Sequence, residues 1–99
     1  MKKMFVASLC KNGILGGALY VDFASVTYRT GKLTVPDRLR NLVMPFSEID
    51  SVSDSRMLGL PTITIHLKNR EEYQFLVFGR KSFISVLAQV GKFVVSNYQ

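Results

Sequence analysis

Two neighbouring segments with a two-residue alternation constrain the fold of this chain more than any other feature. In TITIHL at positions 62–67 every second residue is apolar, and the side chains of a strand point to opposite faces in turn. After a short polar stretch, YQFLVF at positions 73–78 carries the aromatic and β-branched residues that favour strands. Together they predict an antiparallel hairpin with one face buried.

Five other segments have strand-like patterns and are separated by turn signals. They are residues 4–9, 14–21, 25–29, 42–44 and 50–56. The last of them is polar and alternates only weakly, which predicts an edge strand. Asn12-Gly13 predicts a tight turn because it supplies the positive φ angles of a hairpin, and Gly59 and Pro61 bracket the loop before the main hairpin.

Three features interrupt the strand pattern. Gly16-Gly17 predicts a kinked strand with a bulge, a bend or a close backbone approach. Residues 33–41 contain Pro36 and several charges, which predicts a loop or an edge excursion rather than a central strand. Residues 45–49 begin with proline, which suits the first position of a helix, so we expect a short helical turn there.

The pattern becomes helical after Gly79. Apolar residues recur at spacings of three and four, which predicts one amphipathic helix from Arg80 to about Tyr98. The residues on its apolar stripe are Phe83, Leu87, Val90 and Val94. We therefore expect a mostly β fold of about seven antiparallel strands, with the helix closing an open end or face of the sheet.

The composition supports one packed domain over residues 1–99, since 47% of the residues are hydrophobic. The lone Cys10 cannot form an internal disulfide, which favours a reducing compartment. The apolar run after Lys2 and Lys3 is too short for a signal peptide. No stretch approaches the roughly 20 apolar residues of a membrane-spanning helix. We expect a cytoplasmic protein that can lie peripherally at a membrane.

The chain is basic, with thirteen Lys and Arg against seven Asp and Glu and a net charge of +6. This balance suits lipid headgroups, nucleic acid or acidic proteins, but solubility alone also accounts for it. The candidate anion-binding residues are Arg29, Lys32, Arg38 and Arg40. If they converge, each adds about 1 kcal/mol of attraction to an anionic surface. The alternative is a solvated loop, and Leu39 and Leu42 beside it either dip into a bilayer or join the core.

His66 is the only histidine, and the sequence shows no second ligand or catalytic partner at a suitable spacing. Cys10 likewise has no identifiable activating base, so we expect it to act as a small hydrophobe. We predict no catalytic residue, no metal site and no cofactor.

Several segments together resemble a known family. They are GGALYV leading to VTYR, then VMPFSEIDSV, GLPTITIHLKN and EYQFLVF. This combination looks like a GRAM domain of the pleckstrin-homology-like superfold, and it spans almost the whole chain. The chain departs from the pattern in two places. Arg70 stands where relatives often have glycine, and the first hairpin loop lacks the Lys/Arg cluster that holds phosphoinositides in many pleckstrin-homology domains.

The resemblance implies a bent seven-stranded barrel capped by a helix, without enzymatic activity or a small-molecule substrate, in a stand-alone bacterial member. It implies peripheral association with anionic phospholipid surfaces. The alternative is a protein-interaction or self-association module that uses a sheet edge or the groove beside the helix. A nucleic-acid-binding barrel is a weaker alternative, because the aromatic residues fall in apolar runs that suit a core better than a stacking platform.

Overall fold

A computed structural model of the protein describes residues 2–11, 13–32, 35–91 and 93. Within these residues, seven strands and two α-helices follow one another. They are β1 (Lys3–Cys10), β2 (Ile14–Val21), β3 (Ser25–Arg29), α1 (Asp37–Arg40), β4 (Asn41–Pro45), β5 (Ile49–Met57), β6 (Leu60–Leu67), β7 (Glu72–Val77) and α2 (Arg80–Val86). A 3₁₀ turn (Phe46–Glu48) joins β4 to β5, which confirms the predicted helical turn.

All seven strands belong to one antiparallel sheet with the order β4-β3-β2-β1-β7-β6-β5. The sheet curls into a half-barrel, and its two edge strands are β4 and β5. The main hairpin is β6 and β7, in which Ile63 pairs with Phe75 and Ile65 with Tyr73. The predicted architecture of about seven strands with a C-terminal helix is confirmed, as is the edge position of residues 50–56.

The core lies on the inner face of the curled sheet and is closed by α2. Alternate residues of the strands turn inward, as the period of two requires, and Tyr28 and Phe75 are fully buried there with ring centroids 5.4 Å apart. The ring of Phe83 is fully buried and meets the edge of Phe5 at 5.2 Å. Phe83 therefore fixes the helix against β1.

The end of the helix differs from the prediction. After Val86 the backbone widens into a π turn over Leu87–Gly91, and Phe93 is not helical. The amide of Phe93 donates to the carbonyl of Leu87 at 3.3 Å, and its ring folds over Gly91, where any side chain would clash with it. The prediction of a continuous helix to about Tyr98 is therefore wrong at Phe93. Lys92 and residues 94–99 lie outside the described residues.

The segment predicted as a loop contains one turn of helix, α1. Pro36 precedes it, and Leu39 within it is buried in the core, with Leu42 partly buried beside it. Leu39 is the apolar residue in the middle of this polar segment, and its burial in the core favours a helical backbone there. Leu39 and Leu42 therefore belong to the core and are not available to a bilayer. Residues 33 and 34 lie outside the described residues.

The surroundings of Gly17 explain why β2 contains a Gly-Gly pair. A Cβ atom there would lie 2.3 Å from the carbonyl oxygen of Arg29 and 2.9 Å from the Tyr28 ring. β2 pairs with β1 along its whole length without a register shift, so the pair marks a close backbone approach and not a bulge. In the described part of the chain, neither helix is long and apolar enough to cross a membrane.

Candidate functional site

Because neighbouring strands are antiparallel, their connections fall into two sets, one at each end of the strands. The curl of the sheet brings the two sets near each other at the 3₁₀ turn, where the amide of Phe46 donates to Ala24 of the β2–β3 turn and the carbonyl of Glu48 accepts from Lys68 just after β6. One end holds the β1–β2 turn, the segment between β3 and β4, and the β6–β7 turn. The other end holds the β2–β3 and β5–β6 turns and the junction from β7 into α2. The predicted cations lie at the first end, which we call the basic rim and define as Arg29, Lys32, Arg38 and Arg40.

The backbone brings the basic rim together. Arg29 closes β3 opposite Asn41 of β4, and the amide of Thr30 donates to the carbonyl of Arg40 at 3.1 Å. The hydroxyl of Thr30 in turn donates to the carbonyl of Gly16 at 2.7 Å. The predicted residues thus share one end of the sheet.

Two of the four rim cations are engaged by acidic side chains. A nitrogen of Arg38 lies 3.5 Å from a Glu71 carboxylate oxygen and 3.4 Å from the Tyr73 hydroxyl. That hydroxyl donates to Glu71 at 2.6 Å. Arg40 forms an ion pair with Asp37, three residues before it. Arg38 thus links α1 to the β6–β7 turn, and Arg40 is paired within α1. Both pairs reduce the charge that these cations present outward.

The same contacts shift two pKa values. The hydrogen bond from Tyr73 lowers the pKa of Glu71, with smaller contributions from Asn69 and the Arg38 charge. Partial burial raises the pKa of Tyr73, and the Glu71 carboxylate raises it further. Both shifts favour the ionised carboxylate beside the neutral phenol, so the network keeps its hydrogen bonds at neutral pH. Arg29 and Lys32 are exposed and form no ion pair with any described residue.

A polar groove of about 410 Å³ crosses the outer face of β5, β6 and β7 near the rim. His66 lies at its centre, with one ring nitrogen 2.8 Å from the Ser53 hydroxyl and the other 2.8 Å from a Glu72 carboxylate oxygen. Ser55 bonds to Thr62 and Thr64 at 2.8 Å and 2.7 Å.

The Ser53, His66 and Glu72 side chains have the composition of a hydrolytic triad, and sequence spacing gave no sign of it. Ser53 is only 7% exposed, however, and a nucleophile has to reach the substrate carbonyl. We interpret the array as a cross-strand ladder that satisfies polar side chains on the outer face. Cys10 lines the same groove and is half-buried, and burial raises the pKa of its thiol.

The opposite end of the sheet carries exposed apolar side chains that the sequence did not single out. We call it the apolar end and define it as Met4, Phe23, Leu58, Leu60 and Phe78. Leu58 is 94% exposed at the tip of the β5–β6 hairpin, Phe23 is 68% exposed in the β2–β3 turn, and Phe78 is 63% exposed after β7. Single exposed apolar residues are normal, but here five share one end.

Leu58 also has an unfavourable backbone. It has φ of 50° and Gly59 has φ of 82°, so both central residues of this two-residue hairpin turn have positive φ. Such turns favour asparagine, aspartate and glycine, and for a leucine the conformation costs about 1–2 kcal/mol. The pattern Leu-Gly between two strands, where Asn-Gly is expected, is the sequence signal that could have revealed this tip.

The apolar end is also positively charged. Its acidic residues are both engaged: Asp22 accepts the amides of Ala24 and Ser25 at 2.8 Å each, which lowers its pKa, and Asp54 is paired with Arg80. Five cations belong to the segments at this end: Lys2, Lys3, Arg56, Arg80 and Lys81.

The sequence matches no protein-family model and no curated protein. Solved structures do resemble the fold. The C-terminal domain of an unknown protein from Leishmania infantum aligns with a TM-score of 0.75 at 12% identity, over 91% of this chain and 82% of that one. The Spt16D–Pob3N heterodimer aligns with a TM-score of 0.73, also at 12% identity, over 98% of this chain and 54% of that one. This chain therefore spans about half the length of the second. At such identity the likeness shows a shared fold alone.

Proposed function

We propose that the protein is a non-enzymatic module that associates peripherally with anionic phospholipid surfaces through its apolar end. The class of function is the one that the resemblance to GRAM and pleckstrin-homology-like domains implies. The surface differs from the basic rim that the sequence favoured. The observation that carries the proposal is Leu58, a large apolar side chain that projects into solvent from a backbone conformation disfavoured for leucine.

A fully exposed leucine contributes nothing to the core that would offset its backbone strain. Strained positions that persist are concentrated at binding and active sites. Transfer of a Leu or Phe side chain from water to an apolar medium gains roughly 1.5–3 kcal/mol. Leu58, Phe23 and Phe78 together therefore supply enough for reversible interfacial binding.

The cations around the apolar end favour a lipid bilayer as the surface into which these apolar side chains insert. Peripheral proteins combine apolar insertion with cations that meet anionic headgroups. Lys2, Lys3 and Lys81 are exposed around the apolar end and form no ion pair with a described residue. At the basic rim, by contrast, Arg38 and Arg40 already have acidic partners.

The test is flotation with neutral and anionic vesicles, at low and near-physiological salt. We expect binding to anionic vesicles that weakens with salt, because screening acts on the lysine contribution. Leu58→Asn should reduce binding at least tenfold, since it removes about 2 kcal/mol of apolar transfer, while asparagine suits the turn and keeps the fold intact.

Two control variants separate the ends. Ile14→Asn removes an exposed apolar residue at the basic rim's end of the sheet and should leave binding unchanged. Arg38→Glu/Arg40→Glu should weaken binding only slightly, through the change in net charge. Loss of binding in the arginine variant with none in Leu58→Asn would show that the rim is the membrane surface. Binding to neither kind of vesicle would refute the function itself.

Protein interaction through a sheet edge is the second candidate. β5 is nine residues long and pairs only with β6, which leaves one side of it open to strand addition. The structurally similar Spt16D–Pob3N is a heterodimer. Retrieval of a partner by the intact protein but not by the Ser53→Pro variant would favour this candidate.

A further inference from the structure

The two edges of the sheet are protected to different degrees. β4 is five residues long, ends at Pro45, and is flanked by α1 and the 3₁₀ turn. β5 runs for nine residues without an internal proline or lysine. No backbone hydrogen bond from its free side reaches another described residue.

Natural proteins block free edges with lysine, proline, bulges or covering segments, because an unblocked edge pairs with another strand. On β5 such devices are a register shift between Ile49 and Ser51 at its start, the pairing of Asp54 with Arg80 of α2, and Arg56 near its end. The stretch between the register shift and Arg56 offers an open edge of small side chains, Ser51, Ser53 and Ser55. An additional strand meets little steric resistance there.

We propose that β5 pairs antiparallel with β5 of a second copy of this chain, about a two-fold axis at Ser53. The inference is independent of membrane binding. In this register Arg56 of each chain faces Asp50 of the partner subunit, and Ser51 faces Ser55 of the partner subunit. Asp50 and Arg56 are both exposed, so the two copies form two identical ion pairs. The interface is self-complementary, as a two-fold contact requires.

The charges on β5 select this register over its neighbours. A shift of the axis to Asp54 sets Asp54 against its own copy, and a shift to Val52 sets Asp54 against Asp50. Like charges directly opposite each other are destabilising, whereas opposite charges contribute roughly 0.2–1 kcal/mol per pair. Of the axes at Val52, Ser53 and Asp54, only the one at Ser53 gives two attractive pairs and no repulsive one. An axis at Ser55 would set Asp54 against Arg56, but Asp54 is already held by Arg80, and only residues 53–57 of β5 would then pair.

Arg56 is available for this contact. The only described polar contact of its guanidinium is a long one, 3.5 Å, to the carbonyl of Gly59 in its own hairpin, while its backbone carbonyl accepts from Gln74 at 3.3 Å. Asp54, two residues before it, is held by Arg80 of α2 and so does not compete for Arg56. Asp50 lies near Lys68 and Arg70 on the β6–β7 turn, but neither forms an ion pair with it among the described residues.

The experiment is sedimentation equilibrium of the full chain over a concentration series. We expect a monomer–dimer equilibrium that ends at twice the chain mass of 11.2 kDa. Arg56→Asp replaces two attractive pairs by two repulsive ones and should weaken dimerisation by about tenfold or more. Asp50→Arg should do the same.

Mixing the two variants distinguishes strand pairing from any other loss of dimer. An Arg56→Asp chain and an Asp50→Arg chain carry opposite charges at both ends of the shared register, so the mixture should form a heterodimer with near-original affinity. Arg29→Asp, the same charge change on β3, should dimerise normally. A monomer at every concentration overturns the proposal, as does a dimer that Arg56→Asp leaves intact or a mixture that stays monomeric.

Discussion

The basic rim and the apolar end show how differently charge and apolar surface are used at the two ends of one sheet. At the rim, Arg38 and Arg40 are paired with Glu71 and Asp37, so half of the conspicuous cations already have an acidic neighbour. At the apolar end, the acids Asp22 and Asp54 are engaged locally, and exposed apolar side chains stand among lysines. A dense cluster of positive charge in a sequence is thus a poor guide to the charge available for binding.

The two ends also depend on different packing beneath them. The apolar end is held by the anchoring of α2, which begins just after Phe78. The basic rim is held by the close approach of β2 to β3 at Gly17 and Tyr28. Each end can therefore be perturbed separately.

The largest effect is expected from the anchor of the apolar end. Phe83→Ala removes a fully buried ring that contacts Phe5 and should lower the free energy of unfolding by about 3–5 kcal/mol. Urea denaturation measures it. Ser85→Ala, on the exposed face of the same helix, is the control and should change stability by less than about 0.5 kcal/mol. Equal effects of the two changes would mean that α2 is not anchored through Phe83.

The anchor of the basic rim should be somewhat less costly to disturb. Gly17→Ala forces a methyl group against the Arg29 carbonyl and the Tyr28 ring, and overpacking of this kind costs about 1–3 kcal/mol. Gly16→Ala is the matched control, because a Cβ there meets no described atom within 4 Å. If both variants unfold at the same urea concentration, β2 and β3 are not in close contact at Gly17.

The sequence predicted the strands well and the binding surface poorly, for a physical reason. In residues 62–67 and 73–78, buried and exposed positions alternate along a single strand. The order of apolar and polar residues in the sequence is therefore enough to predict the strand. The Arg38–Glu71 contact joins residues far apart in sequence, and the contact of Ser53 with His66 joins two different strands. The end of α2 was missed for a similar reason, since it depends on Phe93 packing with its ring centroid 5.6 Å from that of Phe46.

A substitution of Leu58 is expected to change stability and membrane binding in opposite directions. Leu58→Asn should raise the free energy of unfolding by about 1 kcal/mol, because asparagine tolerates positive φ, while the same change weakens vesicle binding. Thermal unfolding and flotation on one sample measure both effects. Leu60→Asn, at a position where φ is not positive, is the control and should weaken binding without a gain in stability. A Leu58→Asn protein that is less stable than the original would show that leucine is needed by the fold.

The smallest effect is expected from the acid–phenol pair at the basic rim. The pKa of Tyr73 is raised by partial burial and then by Glu71, so the folded state favours the neutral phenol. Its stabilising contribution is therefore complete below the ordinary tyrosine pKa of about 10 and is lost as the pH rises above that value.

Glu71→Gln removes the carboxylate contribution and should lower the Tyr73 pKa towards its ordinary value while leaving the part due to burial. Ultraviolet titration of the phenolate, with Tyr73→Phe to assign the signal, measures the change. A Tyr73 that titrates at the same pH with and without the Glu71 carboxylate would mean that the hydrogen bond between them does not form, and that Arg38 is then held at the rim by the ion pair alone.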